Sequence, residues 1–153
     1  MNNNEFSIVT ADASDKERIN ELFMEMLRSI YGTEDVKGFE DGYPDRFFRG
    51  GENIIFAAKA GGEIVGFLSV EVHREQQDYI YLEDFSVSAS HRSRGIGTAL
   101  IDRAERYAWQ LGIDAVLLHV ERSNTAALRL YERLGYSVFR DDGNRLLLLK
   151  NIS

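Results

Sequence analysis

The sequence predicts an α/β domain built on a single mixed, largely antiparallel central sheet flanked by helices. Three observations predict this fold class. β-Rich runs pair around turn residues, segments with helical periodicity separate the later strands, and no repeat, linker or low-complexity run divides the 153 residues. A chain of this length suits one domain that buries roughly two thirds of its unfolded surface. We therefore expect a single domain over residues 1–153.

The first part of the chain predicts one strand and one long helix. Residues 6–10 are β-rich and form the strand. Ser14 and Glu17 have the spacing of a capping box, and apolar residues then recur at helical spacing through Tyr31. Residues 39–49 are predicted to hold a second, less regular helix.

From residue 53 onward, predicted strands and helices alternate with short connections. The segment Ala60-Gly61-Gly62-Glu63 is a hairpin signal between two β-rich runs. Gly112 and Gly135 end the later helices, as glycine commonly does. The predicted elements are strands over 53–59, 64–72 and 79–87, a helix over 95–111, a strand over 116–120, a helix over 124–134, and strands over 136–140 and 146–150 around a turn at 141–144.

Composition excludes several classes of function. The formal net charge of −7 argues against a nucleic-acid partner, because phosphate contacts need a basic face. No apolar run reaches eighteen residues, and the first residues lack a basic region followed by an apolar core, so we expect neither a membrane span nor a secretory signal. The absence of cysteine excludes disulfides and a cysteine nucleophile and fits a cytoplasmic location.

The loop after the strand over 79–87 carries the most informative pattern. Gly95 and Gly97 open an amphipathic helix, and glycine lets the backbone approach a ligand closely. A helix N-terminus offers unpaired N–H groups and a partial positive charge, which favour phosphate. Arg92 and Arg94 add positive charge beside these amides. The loop therefore predicts a site for a phosphorylated cofactor.

Spacing excludes the two common nucleotide-binding motifs. A dinucleotide fold requires a third glycine where this chain has Leu100, and a tight turn where residues 88–94 intervene. A phosphate-binding P-loop requires Gly-Lys-Ser/Thr, which the sequence lacks. Neither nucleotide motif fits.

Two motifs together resemble the GNAT superfamily of N-acetyltransferases. Arg92-x-x-Gly95-x-Gly97 is similar to its acyl-CoA-binding signature, and the segment from Asn124 through Tyr131 to Gly135-Tyr136 is similar to a later motif of the family. The resemblance covers about residues 53–140. It implies the acyl-CoA N-acyltransferase fold, acetyl-CoA as cosubstrate, and transfer of an acetyl group to a primary amine.

The resemblance also implies which residues hold the cofactor. Backbone groups of Phe85 and Val87 would pair with the pantetheine arm, and amides from Arg92 through Thr98 would hold the pyrophosphate. Asn124 would contact the cofactor, although helix capping is an alternative or additional role. The expected cofactor-binding residues are Phe85, Val87, Arg92, Arg94, Gly95, Gly97, Thr98, Asn124 and Ala127.

Acetyl transfer needs a base to deprotonate the amine, because a free alkylammonium has a pKa of about 10. Glu83 is the candidate base, since a carboxylate in an apolar strand is costly without a role or a partner. An ion pair with an arginine or a place at a solvated sheet edge is the alternative explanation. Asp84, and then His119 or Glu121, are the next candidates.

The departing thiolate needs a proton or a hydrogen bond, and Tyr131 is the candidate acid. The resemblance places such a tyrosine next to the cofactor sulfur, whereas packing in the core is the alternative. Since the chain has no cysteine, we expect direct attack within a ternary complex and no acetyl-enzyme. The three histidines lack the spacing of metal ligands with acidic partners, so we expect no metal.

Acidic and aromatic residues interleave between positions 31 and 48 and suggest the acceptor. Carboxylates and aromatic faces can hold a cationic amine, so we expect a small cationic acceptor such as a polyamine or an aminoglycoside. A solvated acidic loop with its aromatic residues in the core is the alternative. Acetylation of a protein N-terminus or lysine, and a non-catalytic acyl-CoA-binding module, also remain open. Dimers are common among similar proteins, so a homodimer is a further expectation.

Overall fold

The computed structural model describes residues 5–32 and 43–152 of the chain. Most predicted strands and helices lie within two residues of their predicted bounds. In chain order the elements are β1 (Ser7–Thr10), α1 (Lys16–Tyr31), β2 (Ile54–Ala60), β3 (Glu63–His73), β4 (Tyr79–Val87), α2 (Ile96–Gln110), β5 (Ala115–Glu121), α3 (Thr125–Arg133), β6 (Ser137–Asp142) and β7 (Arg145–Asn151).

One sheet contains the seven strands of the described residues, in the order β1-β2-β3-β4-β5-β7-β6. β4 and β5 run parallel. The pairs β1–β2, β2–β3, β5–β7 and β6–β7 are antiparallel. Parallel neighbours need a crossover connection, which α2 provides between β4 and β5. The predicted fold class, a mixed and largely antiparallel sheet with helices, is confirmed.

The described residues group into two compact units. The first unit comprises the described residues up to Val70 together with Asp84–Ala104, and the second comprises Glu71–Glu83 with residues 105–152. The single domain over residues 1–153 stays a prediction. Across both described ranges, no helix combines the length and the apolar character that crossing a bilayer requires.

The core of the first unit forms where α1 packs on the sheet. Ile19 and Leu22 are fully buried on one face of this helix, as the helical spacing predicts. Burying one such side chain stabilises the fold by roughly 1.5–3 kcal/mol. Arg18 Nε also donates to the Ile64 carbonyl at 3.0 Å. The buried members of this cluster are Ala11, Ile19, Leu22, Phe47, Ile55, Ala57, Ile64 and Phe67.

The capping box before α1 is formed by different residues from those predicted. Asp12 Oδ1 accepts from the Ser14 amide at 2.9 Å, and Asp15 Oδ2 accepts from the Asp12 amide at 3.0 Å. Ser14 therefore lies inside a short 3₁₀ turn, Ala13–Asp15, that precedes the helix. The predicted box of Ser14 and Glu17 was wrong because Asp12 and Asp15, two residues earlier, have the same spacing and form the capping bonds instead.

The irregular helix predicted over 39–49 is shorter in the structure. A 3₁₀ helix spans Tyr43–Phe47. Asp45 forms an ion pair with Lys16. Phe47 is buried in the core described above. Residues 39–42 of this prediction lie outside the described residues.

The hairpin between β2 and β3 confirms the turn prediction. Gly61 and Gly62 both have positive φ values, of 61° and 82°. A two-residue turn with positive φ at both positions matches the right-handed twist of the flanking strands, and glycine adopts it without a steric penalty.

In the second unit, β5 has two unlike faces. Val116, Leu118 and Val120 are buried, whereas the alternating residues Ala115 and Leu117 are only partly covered. β5 pairs with β7 from Ala115↔Asn151 to Glu121↔Arg145. This period of two leaves one face of β5 accessible to a ligand.

A polar cluster joins α2 and β7 within the second unit. Glu105 accepts from the Tyr136 hydroxyl at 2.9 Å and from Lys150 Nζ at 2.8 Å. Burial, and then the Glu105 carboxylate, raise the pKa of Tyr136 above its usual range. Each polar group thus has a partner, as a buried cluster requires.

Candidate active site

The loop between β4 and α2 has an unusual backbone. Ser93 has a φ of 62°, which non-glycine residues rarely adopt, and Gly95 follows with a φ of 82°. A left-handed conformation at a residue with a Cβ costs roughly 1–2 kcal/mol. Such a conformation persists only where the surrounding structure enforces it, and it is frequent at ligand-binding segments.

The main chain at the start of α2 offers a set of hydrogen-bond donors. The Ala99 amide donates to the Gly95 carbonyl at 3.0 Å, which closes the first helical turn. The amides of Ile96, Gly97 and Thr98 precede this bond and have no acceptor within the helix. Together with the partial positive charge of the helix terminus, they are suited to bind a phosphate.

A close contact explains the glycine at position 97. A Cβ built on Gly97 would lie 2.8 Å from Cζ of Phe85, closer than real Cβ atoms approach their neighbours. Phe85 and Gly97 both belong to the first unit, so the structure brings together these two predicted cofactor-binding residues. Gly95 supplies a positive φ in the loop, and Gly97 supplies space in the first turn of α2.

Three further contacts hold the loop in place. Arg92 Nε donates to the Val87 carbonyl at 3.2 Å, so this arginine folds back over the loop. The Ala89 amide donates to Glu25 Oε1 of α1 at 2.9 Å. The Ser86 hydroxyl donates to the Leu22 carbonyl at 3.3 Å. Arg94 and Thr98 are exposed.

Asn124 caps α3, which is the alternative role given for it from sequence. Its Oδ1 accepts from the Ala127 amide at 3.2 Å. The amide of Ala127 is therefore used within the protein. The Asn124 side chain still carries Nδ2, a donor that the cap does not use.

Tyr131 is a buried tyrosine of the second unit with an unpaired hydroxyl. Its side chain is 8% exposed, and its ring packs edge-to-face on Tyr136 with centroids 5.7 Å apart. Among the described residues, the Tyr131 hydroxyl has no hydrogen-bond partner. Burial raises the pKa of Tyr131 to about 12, so the phenol keeps its proton at neutral pH.

Glu83 and Asp84 lie next to each other on β4 and are both half-buried. Glu83 belongs to the second unit and Asp84 to the first. The hydroxyl of the buried Ser69 contacts the main chain of Asp84. Its Oγ accepts from the Asp84 amide at 2.9 Å and lies 3.3 Å from the Asp84 carbonyl oxygen. Glu121 is exposed at the end of β5.

A chain of hydrogen bonds runs across three strands of the second unit. The Tyr81 hydroxyl lies 2.6 Å from His119 Nδ1, and His119 Nε2 lies 2.8 Å from Asp142 Oδ2. Arg140 donates to Asp142 through Nε at 2.7 Å and through one terminal nitrogen at 3.1 Å. These bonds, first from Arg140 and then from His119, lower the pKa of Asp142 to about 2. We call this set the Tyr81–His119 chain.

The sequence named His119 only as an alternative base and missed Tyr81, Arg140 and Asp142. The segment 141–144 is predicted as a turn, whereas β6 extends to Asp142 and the turn is formed by Gly143 and Asn144. Asp142 therefore lies at the end of a strand, with a side chain that reaches His119. The one available signal was a histidine at an alternating position in an apolar strand.

The Tyr81–His119 chain borders a pocket of about 360 Å³ in the second unit. Side chains from β4, β5, β6 and β7 form its walls. Its lining residues are Gln77, Asp78, Tyr79, Tyr81, Ala115, Leu117, His119, Phe139, Arg140, Leu147 and Leu149.

The other histidines have local partners. His73 Nε2 lies 3.1 Å from Glu71 Oε1, and its ring stacks on Tyr79. His91 Nδ1 lies 2.9 Å from the Ser90 hydroxyl. In residues 5–32 and 43–152, no group of three or more histidine or acidic side chains is arranged to hold a metal ion.

The acidic and aromatic segment predicted to hold the acceptor is only partly described. Positions 34, 35 and 39–41 lie outside the described residues. Asp45 is paired with Lys16, and Phe47 is buried in the core. The buried Phe47 agrees with the alternative explanation, in which the aromatic residues of this segment lie in the core.

Comparisons with a family model, with known sequences and with solved structures all find acetyltransferases. The sequence model of the Acetyltransferase (GNAT) family matches residues 17–136. An uncharacterised N-acetyltransferase of Methanocaldococcus jannaschii is 27% identical over 146 residues, which cover 90% of this chain and 86% of that protein. A mycothiol acetyltransferase of Corynebacterium glutamicum is 37% identical over 78 residues, or 51% of this chain. The chain spans only 26% of the length of that relative.

Among solved structures, the PaiA N-acetyltransferase of Thermoplasma acidophilum, in complex with coenzyme A, has a similar fold. The TM-score is 0.78 at 18% sequence identity, and the match covers 96% of this chain and 99% of that one. At this identity the likeness supports the fold, which agrees with the strand order described above.

Proposed function

The chain belongs to the acetyltransferase (GNAT) family, and from this premise we propose that it transfers an acetyl group from acetyl-CoA to a primary amine. The amine first loses a proton and then attacks the thioester carbonyl. The C–N bond forms, the C–S bond breaks, and the departing thiolate takes up a proton. With no cysteine in the sequence, the transfer proceeds directly in a ternary complex.

The observation that carries this proposal is the state of Tyr131. A buried phenol with a pKa of about 12 and no partner among the described residues is a proton donor without an acceptor. A departing thiolate can accept this proton when the substrate is bound, so we assign Tyr131 the role of general acid.

For the cofactor, we assign the diphosphate to the start of α2. The amides from Arg92 through Thr98 provide the donors, and Arg94 provides an exposed positive charge. Gly95 and Gly97 supply the positive φ and the space that the loop needs. Backbone groups of Phe85 and Val87 pair with the pantetheine arm, although the Val87 carbonyl already accepts from Arg92. At α3, Asn124 contacts the cofactor through Nδ2, and Ala127 lies beside it.

Two groups of the second unit are candidates for the base. Glu83, the base predicted from the sequence, is a half-buried carboxylate on β4. His119 is the second candidate, because its bond to the ionised Asp142 places a hydrogen on Nε2, and Nδ1 of the neutral ring can then accept the proton of Tyr81. A proton taken from the amine by Tyr81 can thus pass to His119.

The acceptor is proposed to be a small cationic amine, and thiol release from acetyl-CoA tests this. A panel of monoamines, polyamines, aminoglycosides and short peptides is offered to the purified chain. Release that depends on a small amine supports the proposal, whereas release that depends on peptides alone indicates a protein acetyltransferase. Coenzyme A binding without any turnover indicates a non-catalytic module.

The same assay separates the two bases. Glu83→Gln and His119→Gln are compared with the parent across pH, since the base must be deprotonated to act. The variant that loses the limb at low pH and lowers kcat by roughly 10²-fold or more identifies the base. Unchanged rates in both variants would remove both residues from this role.

A further inference from the structure

We propose that the 360 Å³ pocket of the second unit binds the acceptor, and that the acceptor is a monoamine with an aromatic or branched apolar body. This inference rests on the proposed acetyltransferase function and narrows its substrate class.

The walls of the pocket are mainly apolar. Leu117 on β5 and Leu149 on β7 are half-buried there, and Tyr79 adds an aromatic surface. Phe139, which is 58% exposed, lines the pocket from β6. A volume of about 360 Å³ lies at the low end of the range of roughly 300–1,000 Å³ that small-molecule sites occupy. The pocket thus suits a compact apolar group.

The charges of the lining balance each other. Asp78 pairs with Arg74 at 3.0 Å. Arg140 lines the pocket and pairs with Asp142. A polyamine carries several ammonium groups, each of which needs a negative or strongly polar partner when it leaves water. The lining has no excess of carboxylates to provide them, so one ammonium with an apolar body fits better.

Polar atoms at the border can receive this single ammonium. Arg140 has donors only, and Asp142 is an ionised acceptor, so the hydrogen on His119 lies on Nε2. In the neutral imidazole His119 Nδ1 then accepts, and the Tyr81 hydroxyl donates to it at 2.6 Å. With its hydrogen committed to His119, the Tyr81 oxygen can act toward an amine only as an acceptor. The direction of the hydrogen bonds in the Tyr81–His119 chain therefore suits an N–H donor.

Competition between two amines tests the substrate class directly. Thiol release from acetyl-CoA is measured with phenethylamine and with spermidine over a range of concentrations. We expect kcat/KM for phenethylamine to exceed that for spermidine by at least ~10-fold, because each unpaired charge in an apolar site costs more than the ~1.4 kcal/mol that corresponds to tenfold. A preference for spermidine overturns the inference.

A variant that fills the pocket tests the location. Leu117→Phe should raise KM for phenethylamine by ~10-fold or more, as overpacking of an apolar site does, while ethylamine is still acetylated. Val138→Ala is the matched control, since Val138 is on β6 next to Phe139 but does not line the pocket. Should Leu117→Phe fail to fold, Phe139→Ala at an exposed position should give the same selective loss.

The outcomes separate this inference from the proposed function. If amines are acetylated and Leu117→Phe and Val138→Ala change KM for phenethylamine equally, the assignment of the pocket is overturned and the proposed function stands. No turnover with any amine, and no heat on mixing with coenzyme A, overturns the function itself. Turnover of peptides but not phenethylamine, or a change of oligomeric state in Leu117→Phe seen by light scattering, shows that another occupant uses this face and overturns the inference.

Discussion

The two units of this protein present their candidate functional groups in different ways. In the first unit, the loop before α2 and the first turn of α2 offer main-chain amides, and the two key positions are glycines. In the second unit, Tyr131 and the Tyr81–His119 chain offer side chains held by burial or by hydrogen bonds. Main-chain donors bind a charge that does not change during a reaction, whereas side chains with protons to exchange suit the chemical step. The contrast predicts that substitutions in the two units affect different kinetic constants.

The largest effect is expected at Tyr131. Tyr131→Phe removes the proposed acid without changing the shape of the ring, so kcat should fall by roughly 10²–10⁴-fold, the range found for general acid catalysis. KM for acetyl-CoA should stay nearly constant if the second unit serves the chemical step. Tyr136→Phe is the matched control: its hydroxyl bonds Glu105, so this variant should lose stability and keep its kcat. Equal kcat in Tyr131→Phe and the parent would contradict the assignment of the chemical step to the second unit.

The next largest effect is a loss of stability at alkaline pH, which can be measured without substrate. The pKa of Tyr131 is raised from 10.0 to about 12, so the folded state keeps a proton that the unfolded state releases. The stabilising difference is present in full below pH 10 and is lost as the pH rises toward 12. This loss amounts to roughly 2–3 kcal/mol, since one pKa unit corresponds to about 1.36 kcal/mol.

Urea unfolding at pH 9 and at pH 11.5 measures this difference. Between these two pH values, the free energy of unfolding should decrease less in Tyr131→Phe than in the parent. The decrease that remains in the variant comes from other groups such as Tyr136. An identical decrease in the variant and the parent would contradict the burial of an ionisable hydroxyl at this position.

A smaller effect is expected at Gly97. Gly97→Ala places a Cβ against Phe85, and overpacking of this kind typically costs about 1–3 kcal/mol. If the first unit serves binding, the dissociation constant for coenzyme A should rise by ~10-fold or more while kcat at saturation changes little. The double variant with Phe85→Leu should recover part of the affinity. Unchanged affinity in Gly97→Ala would mean that the loop tolerates displacement.

The smallest effect distinguishes two roles of Asn124. Asn124→Ala removes the cap of α3 and should lower the free energy of unfolding by about 1 kcal/mol. Asn124→Ser keeps a capping oxygen but loses Nδ2. Wild-type stability with weaker coenzyme A binding in Asn124→Ser would show that a residue of the second unit serves binding as well.

Local signals in the sequence predicted most of the fold. The glycine pair at 61–62 predicted the hairpin because glycine adopts the positive φ values that two-residue hairpin turns require. Both glycines have positive φ in the structure. Helical spacing predicted Ile19 and Leu22 in the core. The capping box was assigned to the wrong pair because two sets of residues with the same spacing lie within six positions, and only the backbone decides between them.

The candidate site was predicted less completely, for a physical reason. The residues of the loop before α2 are contiguous in sequence, so their spacing identifies them. The Tyr81–His119 chain joins β4, β5 and β6, and it depends on the register in which Leu147 pairs with His119 on one side and with Arg140 on the other. No local pattern encodes that register. Long-range side-chain networks of this kind become visible only in the structure.

The central claim is that the main chain at the start of α2 holds the diphosphate of coenzyme A. Isothermal titration calorimetry of the purified chain with coenzyme A, and with 4′-phosphopantetheine and pantetheine, which differ only in one phosphate, tests it most directly. We predict clear binding of coenzyme A and binding of pantetheine weaker than that of 4′-phosphopantetheine by ~10-fold or more, because the proposed contacts of the helix terminus and its amides are to phosphate. Equal affinity for the two pantetheine compounds, or no heat with coenzyme A, would contradict the claim.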